Sequence, residues 1–362
     1  MTPDFELNEW FVQCVGIDVS KGKFTACLGM SDIKNAQFSE VLEFPNTKQG
    51  FNQLVKWARK EGVKSQPIRF LMEPTGVYHE GLAYHLYKIG VPVYIVLANK
   101  AHNYAKYNGL KTKTDEVDAR LLADLGCTNR TLKQWAPPKP IYRELKQLTR
   151  FCSNIKKVRT VLQNQLEAIT NTEMPEPTLI KHYEKLIADI NKQIAATERK
   201  IEQRVQDDED LSKSVERIAQ VKGLGKTTII TIIAETNGFE MIHSRKQLAS
   251  YAGLDVSAKA SGTQDPKHHI SKRGNVRIRA ALYFPSIVGA HSNPQMEMTY
   301  NRINAANPKY KKIGITAIMR KMLLLIYTLW TNGEEYDPNK QNNVIKKEVA
   351  EKIEQPHEID LV

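Results

Sequence analysis

The hydrophobic positions of this chain change period along its length, and the changes mark out its elements. Residues 11–20 run through Phe11, Val12, Cys14, Val15 and Ile17 to Asp18, Val19 and Ser20, the pattern of a buried central strand that delivers a carboxylate at its end. Lys21 and Gly22 make a turn, 23–30 reads as the return strand of a hairpin, and 38–44 reads as a third strand. From Thr47 the period becomes helical, with Phe51, Leu54, Val55 and Ala58 on one side and Gly62 past the end. A second apolar strand from Pro67 stops on another acid, Glu73, followed by the turn residues Pro74, Thr75 and Gly76. A helix over 79–89 and a strand over 91–96 follow, and then a basic loop from Asn99 through Lys111 and Lys113. Thr114 caps the next helix, whose first turn holds Asp115 and Asp118 and whose buried side holds Leu121, Leu122 and Leu125.

The second part of the chain reads as helices. Pro137, Pro138, Lys139 and Pro140 form a stiff connector, which places a domain boundary there. Leu145, Leu148, Phe151, Ile155, Val158, Leu162, Leu166 and Ile169 recur at threes and fours; Pro175 and Pro177 break the run; and Leu186, Ile190, Ile194, Ile201 and Val205 run back. The expectation is an antiparallel helical hairpin of coiled-coil character, its stripe covered either within one chain or by a second copy. Asp207, Asp208, Glu209 and Asp210 read as an acidic loop closing it. Domains are therefore expected at 1–136 (α/β), 137–210 (helical hairpin) and 211–337 (mainly α), with a charged, disordered tail at 338–362.

Charge adds a partner. Lys and Arg outnumber Asp and Glu by 52 to 40, a formal net charge of +12, which suits a polyanion and makes nucleic acid the leading candidate. Two segments offer the contacts. Lys222, Gly223, Gly225 and Lys226 precede an apolar helix, and a glycine turn there lets backbone amides face a phosphate, as in helix-hairpin-helix elements; the spacing is not that of a Walker loop. Lys272, Arg273, Arg277 and Arg279 crowd a helix start after a polar loop that contains Ser257, Ser261, His268 and His269. A loop hydroxyl beside such a patch is a nucleophile, a turn residue or a hydrogen-bond donor to phosphate. The four cysteines, Cys14, Cys27, Cys127 and Cys152, have the spacing of neither a zinc site nor a disulfide framework, so a reducing, intracellular compartment is expected. The N-terminus lacks a leader pattern and the apolar run 322–327 is short for a membrane span.

The order of three strands, helix, strand, helix, strand, helix, with acids at two strand ends and one helix start, resembles a ribonuclease-H-like fold. Asp18, Glu73, Asp115 and Asp118 would then converge, and carboxylates so close stay ionised together only when cations neutralise them, which implies two Mg²⁺ ions acting on a phosphodiester. The plain alternative is that Asp115 and Asp118 merely complement the helix dipole, Asp18 ends an edge strand and Glu73 pairs with a surface lysine.

Taken together, Gly16-Ile17-Asp18-Val19-Ser20-Lys21, Met72-Glu73-Pro74-Thr75-Gly76, Lys113-Thr114-Asp115-Glu116-Val117-Asp118-Ala119, the turn at Gly223, the loop from Ala252-Gly253-Leu254 to Ser261-Gly262, and Ser271-Lys272-Arg273-Gly274-Asn275 resemble one family. It is that of insertion-sequence transposases with a RuvC-like amino-terminal domain and a serine-bearing carboxy-terminal transposase domain, the group of the bridge-RNA-guided recombinases and pilin-gene invertases. The resemblance implies that Ser261 attacks a DNA phosphate to form a 5′-phosphoserine link, with Asp18, Glu73, Asp115, Asp118 and Mg²⁺ assisting. It further implies donor and target DNA sites, a guide RNA, assembly into homodimers and tetramers, and a prokaryotic cytoplasmic, nucleoid-associated setting. Asp255 replaces the usual proline after Gly-Leu, leaving Ser257 beside Ser261 as nucleophile. Two other readings stand next to this one: a RuvC-like, metal-only nuclease or junction resolvase, and a non-catalytic nucleic-acid-binding protein with a degenerate nuclease fold.

Overall fold

A computed structural model describes residues 11–32, 34–74, 76–110, 114–259 and 267–338. Two compact units meet in sequence at Pro137 and Pro138.

In the first unit, β1 (Val12–Val19) and β2 (Lys23–Ser31) form an antiparallel hairpin in which Asp18 lies opposite Thr25. The single strand expected over 38–44 is instead two short ones, β3 (Ala36–Phe38) and β4 (Leu42–Pro45), paired with opposite ends of β2. Ser39 divides them: its hydroxyl accepts the Leu28 N–H at 3.0 Å, a side chain standing where a ladder carbonyl would. Thr47 caps α1 (Lys48–Glu61), which leads into β5 (Ile68–Met72), α2 (Glu80–Lys88) and β6 (Val93–Ile95). β5 is parallel to β1 and β6 is parallel to β5. The stretch expected as a basic loop contains a helix, α3 (Ala98–Tyr107); it buries Ala101 and half-buries Tyr104 and Ala105, a short stripe at helical spacing. Then comes α4 (Asp115–Thr128), with Thr114 accepting the Val117 N–H at 3.3 Å.

Across the sheet the order is β3-β2-β1-β5-β6, with β4 also on β2, so the two acid-bearing strands β1 and β5 are neighbours. The period-two alternation of β1 divides its side chains between two cores. Val15, Ile17 and Val19 pack with Phe70, Met72 and the apolar sides of α1 and α2. Cys14 packs on the other face with Leu71, Leu122 and Leu125. α4 crosses that second face so closely that a methyl group on Gly16 would lie 2.0 Å from the Ala123 nitrogen and 2.3 Å from the Ala119 oxygen.

The second unit is mostly helical: α5 (Pro140–Thr170), α6 (Pro177–Gln206), α7 (Glu209–Ala219), α8 (Lys226–Glu235) and α9 (Arg245–Ala252). The hairpin β7 (Val256–Lys259) and β8 (Lys267–Ile270) and the helices α10 (Val276–Ser292), α11 (Pro294–Ala306) and α12 (Lys312–Asn332) complete it. Tyr142, Leu145 and Cys152 of α5 and Ile194, Ile201 and Val205 of α6 belong to the same apolar core as α7 to α12. The acidic segment 207–210 is only partly a loop. Asp208 caps α7, accepting the Leu211 N–H at 3.0 Å, and Glu209 and Asp210 occupy its first turn, where the helix dipole favours them. α12 is, by length and composition, long and apolar enough to cross a membrane. Its Ile315, Ile318, Met322, Leu323 and Ile326 are buried in the unit's core.

Candidate active site

The four acids enter from three elements of the first unit. Asp18 follows Gly16 on the α4 side of β1, and Glu73, one residue past β5, continues the alternation that puts Leu71 on that side. Ile17 and Met72 are register partners in the parallel pair, so Asp18 and Glu73 leave neighbouring strands at the same end of the sheet. Thr25, opposite Asp18, is buried, and its hydroxyl donates to the main-chain oxygen of Asp115 at 3.1 Å. That bond pins the amino end of α4 beside the end of β1. Asp115 is exposed, and Asp18, Glu73 and Asp118 are half-buried.

Two residues that the sequence reading did not single out build this corner. Asn46 donates from Nδ2 to the Ser20 oxygen at 2.9 Å and the Tyr78 oxygen at 3.1 Å, tying the exit of β1 to the segment after Glu73. Lys23 is ion-paired with Glu43 at 2.5 Å; its ammonium is raised above the ordinary lysine value, by Glu43 first and by Asp115 to a smaller degree. An asparagine before a helix and a lysine after a turn are ordinary in sequence, which is why neither stood out.

Among the described residues, no three His, Cys, Asp or Glu side chains stand at the spacing of an ion's ligand shell. By chemistry alone the donor types suit a hard divalent cation, since Asp18, Glu73, Asp115 and Asp118 offer oxygen throughout. The cysteines offer no alternative centre. All four are buried free thiols, and burial pushes Cys127 up to about 12, far from the thiolate a ligand or nucleophile needs.

The second unit holds the basic segments. Gly223 has φ of 94°, and a methyl group there would lie 2.8 Å from Gly289 Cα, so this turn needs glycine both for its backbone angle and for its contact with α10. Gly225 caps α8 without a side-chain bond, and Lys222 and Lys226 are exposed, Lys226 standing 3.4 Å from Glu216.

The turn 271–275 wraps the end of α9. Lys272, at φ 54°, donates its N–H to the Gly253 oxygen at 3.1 Å, and Ser271 donates its hydroxyl to Asp255. Arg279 donates to the Ala252 and Gly274 oxygens at 2.8 and 3.2 Å, so its guanidinium braces the turn. Lys272 and Arg273 are exposed, and Arg277 is half-buried. Ser257 lies on β7. Ser261, Lys111 and Lys113 lie outside the described residues.

Below this turn is a buried network that the sequence reading missed. Glu235 is fully buried at the end of α8. Arg150 of α5 donates to both its oxygens, at 2.6 and 2.8 Å; Asn275 donates at 2.8 Å, and Arg277 Nε is 3.9 Å away. Burial alone would raise the Glu235 carboxyl, but the bonds from Arg150 and Asn275 outweigh it and hold the group below the usual glutamate value. Arg150, Arg277, Lys226 and Phe284 line a groove of about 1080 Å³. The one signal in the sequence was an acid closing the run 229–235, apolar apart from Thr231, a position where an unpaired carboxylate would be costly.

Residues 15–175 match a transposase family of the IS110 DEDD type, and residues 215–301 match the Transposase IS116/IS110/IS902 family. The pilin gene-inverting protein of Moraxella bovis is 28% identical over 89% of this chain and 97% of its own. The transposase for insertion sequence element IS1111A of Coxiella burnetii is 23% identical over 56% of this chain and 62% of its own. Among solved structures, Thermus thermophilus RuvC aligns along its whole length with 34% of this chain, at 13% identity and a TM-score of 0.27.

Proposed function

Because this chain belongs to the IS110 family of insertion-sequence transposases and is a DNA recombinase, we propose that it cuts and rejoins the DNA of a mobile element through a serine nucleophile, Ser261, assisted by Asp18, Glu73, Asp115 and Asp118. The observation that carries this reading is the bond from Thr25 to the Asp115 carbonyl, which brings the acid-bearing start of α4 to the strand end that bears Asp18. In the proposed step the Ser261 oxygen attacks a backbone phosphorus. A serine–phosphate bond forms, the bond to the DNA 3′ oxygen breaks, the serine gives up its hydroxyl proton, and the 3′ oxygen leaves as a hydroxyl. Rejoining is the reverse attack by a 3′ hydroxyl, so the phosphodiester is exchanged without an external energy source. The four carboxylates would hold Mg²⁺, which when bound supplies charge stabilisation to the phosphate oxygens. Lys111, Lys113, Lys222, Lys226, Lys272, Arg273 and Arg277 would contact phosphates, with the amides at Gly223 and Gly225; Arg279 would hold the turn that carries two of these cations.

A noncoding guide RNA choosing donor and target sites, and homodimers joining into tetramers, complete the proposal. The net charge of +12 and the exposed Val158, Val161, Leu179 and Leu186 along the helix pair support them respectively.

The test is a trapping assay with purified protein, its co-purified RNA, Mg²⁺ and labelled DNA carrying the element's junction, resolved under denaturing conditions. A covalent protein–DNA band is expected for wild type, and its absence in Ser261→Ala and in Asp115→Asn. If the band survives Ser261→Ala and disappears in Ser257→Ala, the nucleophile is Ser257. Cleavage without any covalent band would make this a metal-dependent nuclease.

A further inference from the structure

We infer that Glu235 is a positioning residue of the second unit: a buried carboxylate that fixes Asn275, and through it the basic turn 271–275 and the amino end of α10, where they meet DNA phosphate. The inference rests on the reading of Lys272 and Arg273 as phosphate contacts, and goes beyond it in naming what holds them. Asn275 directs its polar groups to this task. Its Nδ2 donates to Glu235 Oε2 at 2.8 Å, its main-chain N–H donates to the Tyr251 oxygen at 2.7 Å, and its Oδ1 accepts the N–H groups of Arg277 and Ile278. Tyr251 in turn donates its hydroxyl to the Glu235 main-chain oxygen at 3.0 Å. The network is thus closed, joining the end of α8, the face of α9 and the start of α10.

Arg150 supplies the countercharge from α5. Without it a carboxylate with no solvent exposure would take up a proton and lose one of its two acceptor oxygens. With both oxygens accepting, Asn275 is offered one geometry, and the cap it provides sets the direction of α10. The cations sit just before that cap, on a turn whose own backbone is unfavourable at Lys272, φ 54°. A turn in that conformation persists only when its surroundings impose it, and Glu235 anchors those surroundings from beneath.

The experiment measures binding of the full-length protein to fluorescein-labelled duplex DNA of random sequence over a series of salt concentrations, beside thermal unfolding of each variant. Removing one phosphate-binding cation from the interface flattens the plot of log affinity against log salt by roughly one. Partial unfolding, by contrast, lowers the active fraction and leaves the slope alone. Lys272→Ala/Arg273→Ala gives the reference slope with the direct phosphate-binding side chains removed. Glu235→Gln and Asn275→Ser test the positioning; the second keeps the Arg150–Glu235 pair and a capping oxygen, so it folds even if the first does not. Expected is about a tenfold loss of affinity in both, with a slope flatter by about one or more. Wild-type slopes in Glu235→Gln and Asn275→Ser, with a flatter one in Lys272→Ala/Arg273→Ala, would overturn the inference alone. A wild-type slope in Lys272→Ala/Arg273→Ala would remove the phosphate reading and the inference with it.

Discussion

Lys272 has a positive φ of 54° without being glycine, which costs an ordinary side chain about 1 kcal/mol. Its N–H bond to Gly253 and its neighbours' bonds to Asp255 and Arg279 hold it there. Gly253 itself is left-handed at φ 67°, and a methyl group on Gly274 would come within 2.4 Å of the Gly253 nitrogen, so the two chain segments touch through glycines and Lys272 takes the remaining strained position. On the proposed phosphate role of this turn, a lysine at a position where glycine would be easier serves through its ammonium. Lys272→Gly should therefore leave the thermal midpoint unchanged or raise it, by up to about 1 kcal/mol of stability, while DNA affinity falls as far as in Lys272→Ala. A substitution that lowers stability and spares DNA binding would show that the side chain serves the fold.

At the scale of elements, the acid corner depends on how closely α4 can lie on β1. Gly16 allows main chain against main chain, and the Thr25 bond to Asp115 needs that approach. Gly16→Ala should cost about 3 kcal/mol or more, because the obstructing atoms are helix backbone and cannot rotate away. Urea unfolding of the full chain measures it, and a change under about 0.5 kcal/mol would mean that α4 slides without penalty. Much of this corner was legible beforehand: the apolar runs ending at Asp18 and Glu73 and the cap at Thr114 are local signals, and they lead to the observed β1, β5 and α4. What escaped was set by distant partners. Ser39 splits β3 from β4 by bonding Leu28, and the stripe of α3 is short, made of Ala101, Tyr104 and Ala105. Arg150, Glu235 and Asn275 come from positions up to 125 residues apart, since 275 less 150 is 125, and no window of sequence contains them together.

The same long-range pairing bears on where the molecule divides. The prolines at 137–140 read as a connector, and the two compact units meet there. The sequence reading adds a division at 210, after the helix pair. Leu145, Cys152, Ile194, Ile201 and Val205 of that pair nevertheless share one core with α7 to α12, and Arg150 is the countercharge of Glu235. A fragment beginning at 211 would expose that apolar surface and strip Glu235 of its bidentate partner Arg150, leaving it Asn275 and the more distant Arg277, a loss of up to about 3–5 kcal/mol. Domain stabilities of about 5–15 kcal/mol do not absorb this together with the missing hydrophobic packing. Residues 138–362 expressed alone should therefore give a helical circular-dichroism spectrum and a cooperative thermal transition, whereas residues 211–362 should give neither. A cooperative transition in the shorter fragment would mean that the helix pair is a separate domain resting on a core complete without it. Its packing against that core would then be a docking surface, and Arg150→Met in the full chain would leave stability nearly unchanged.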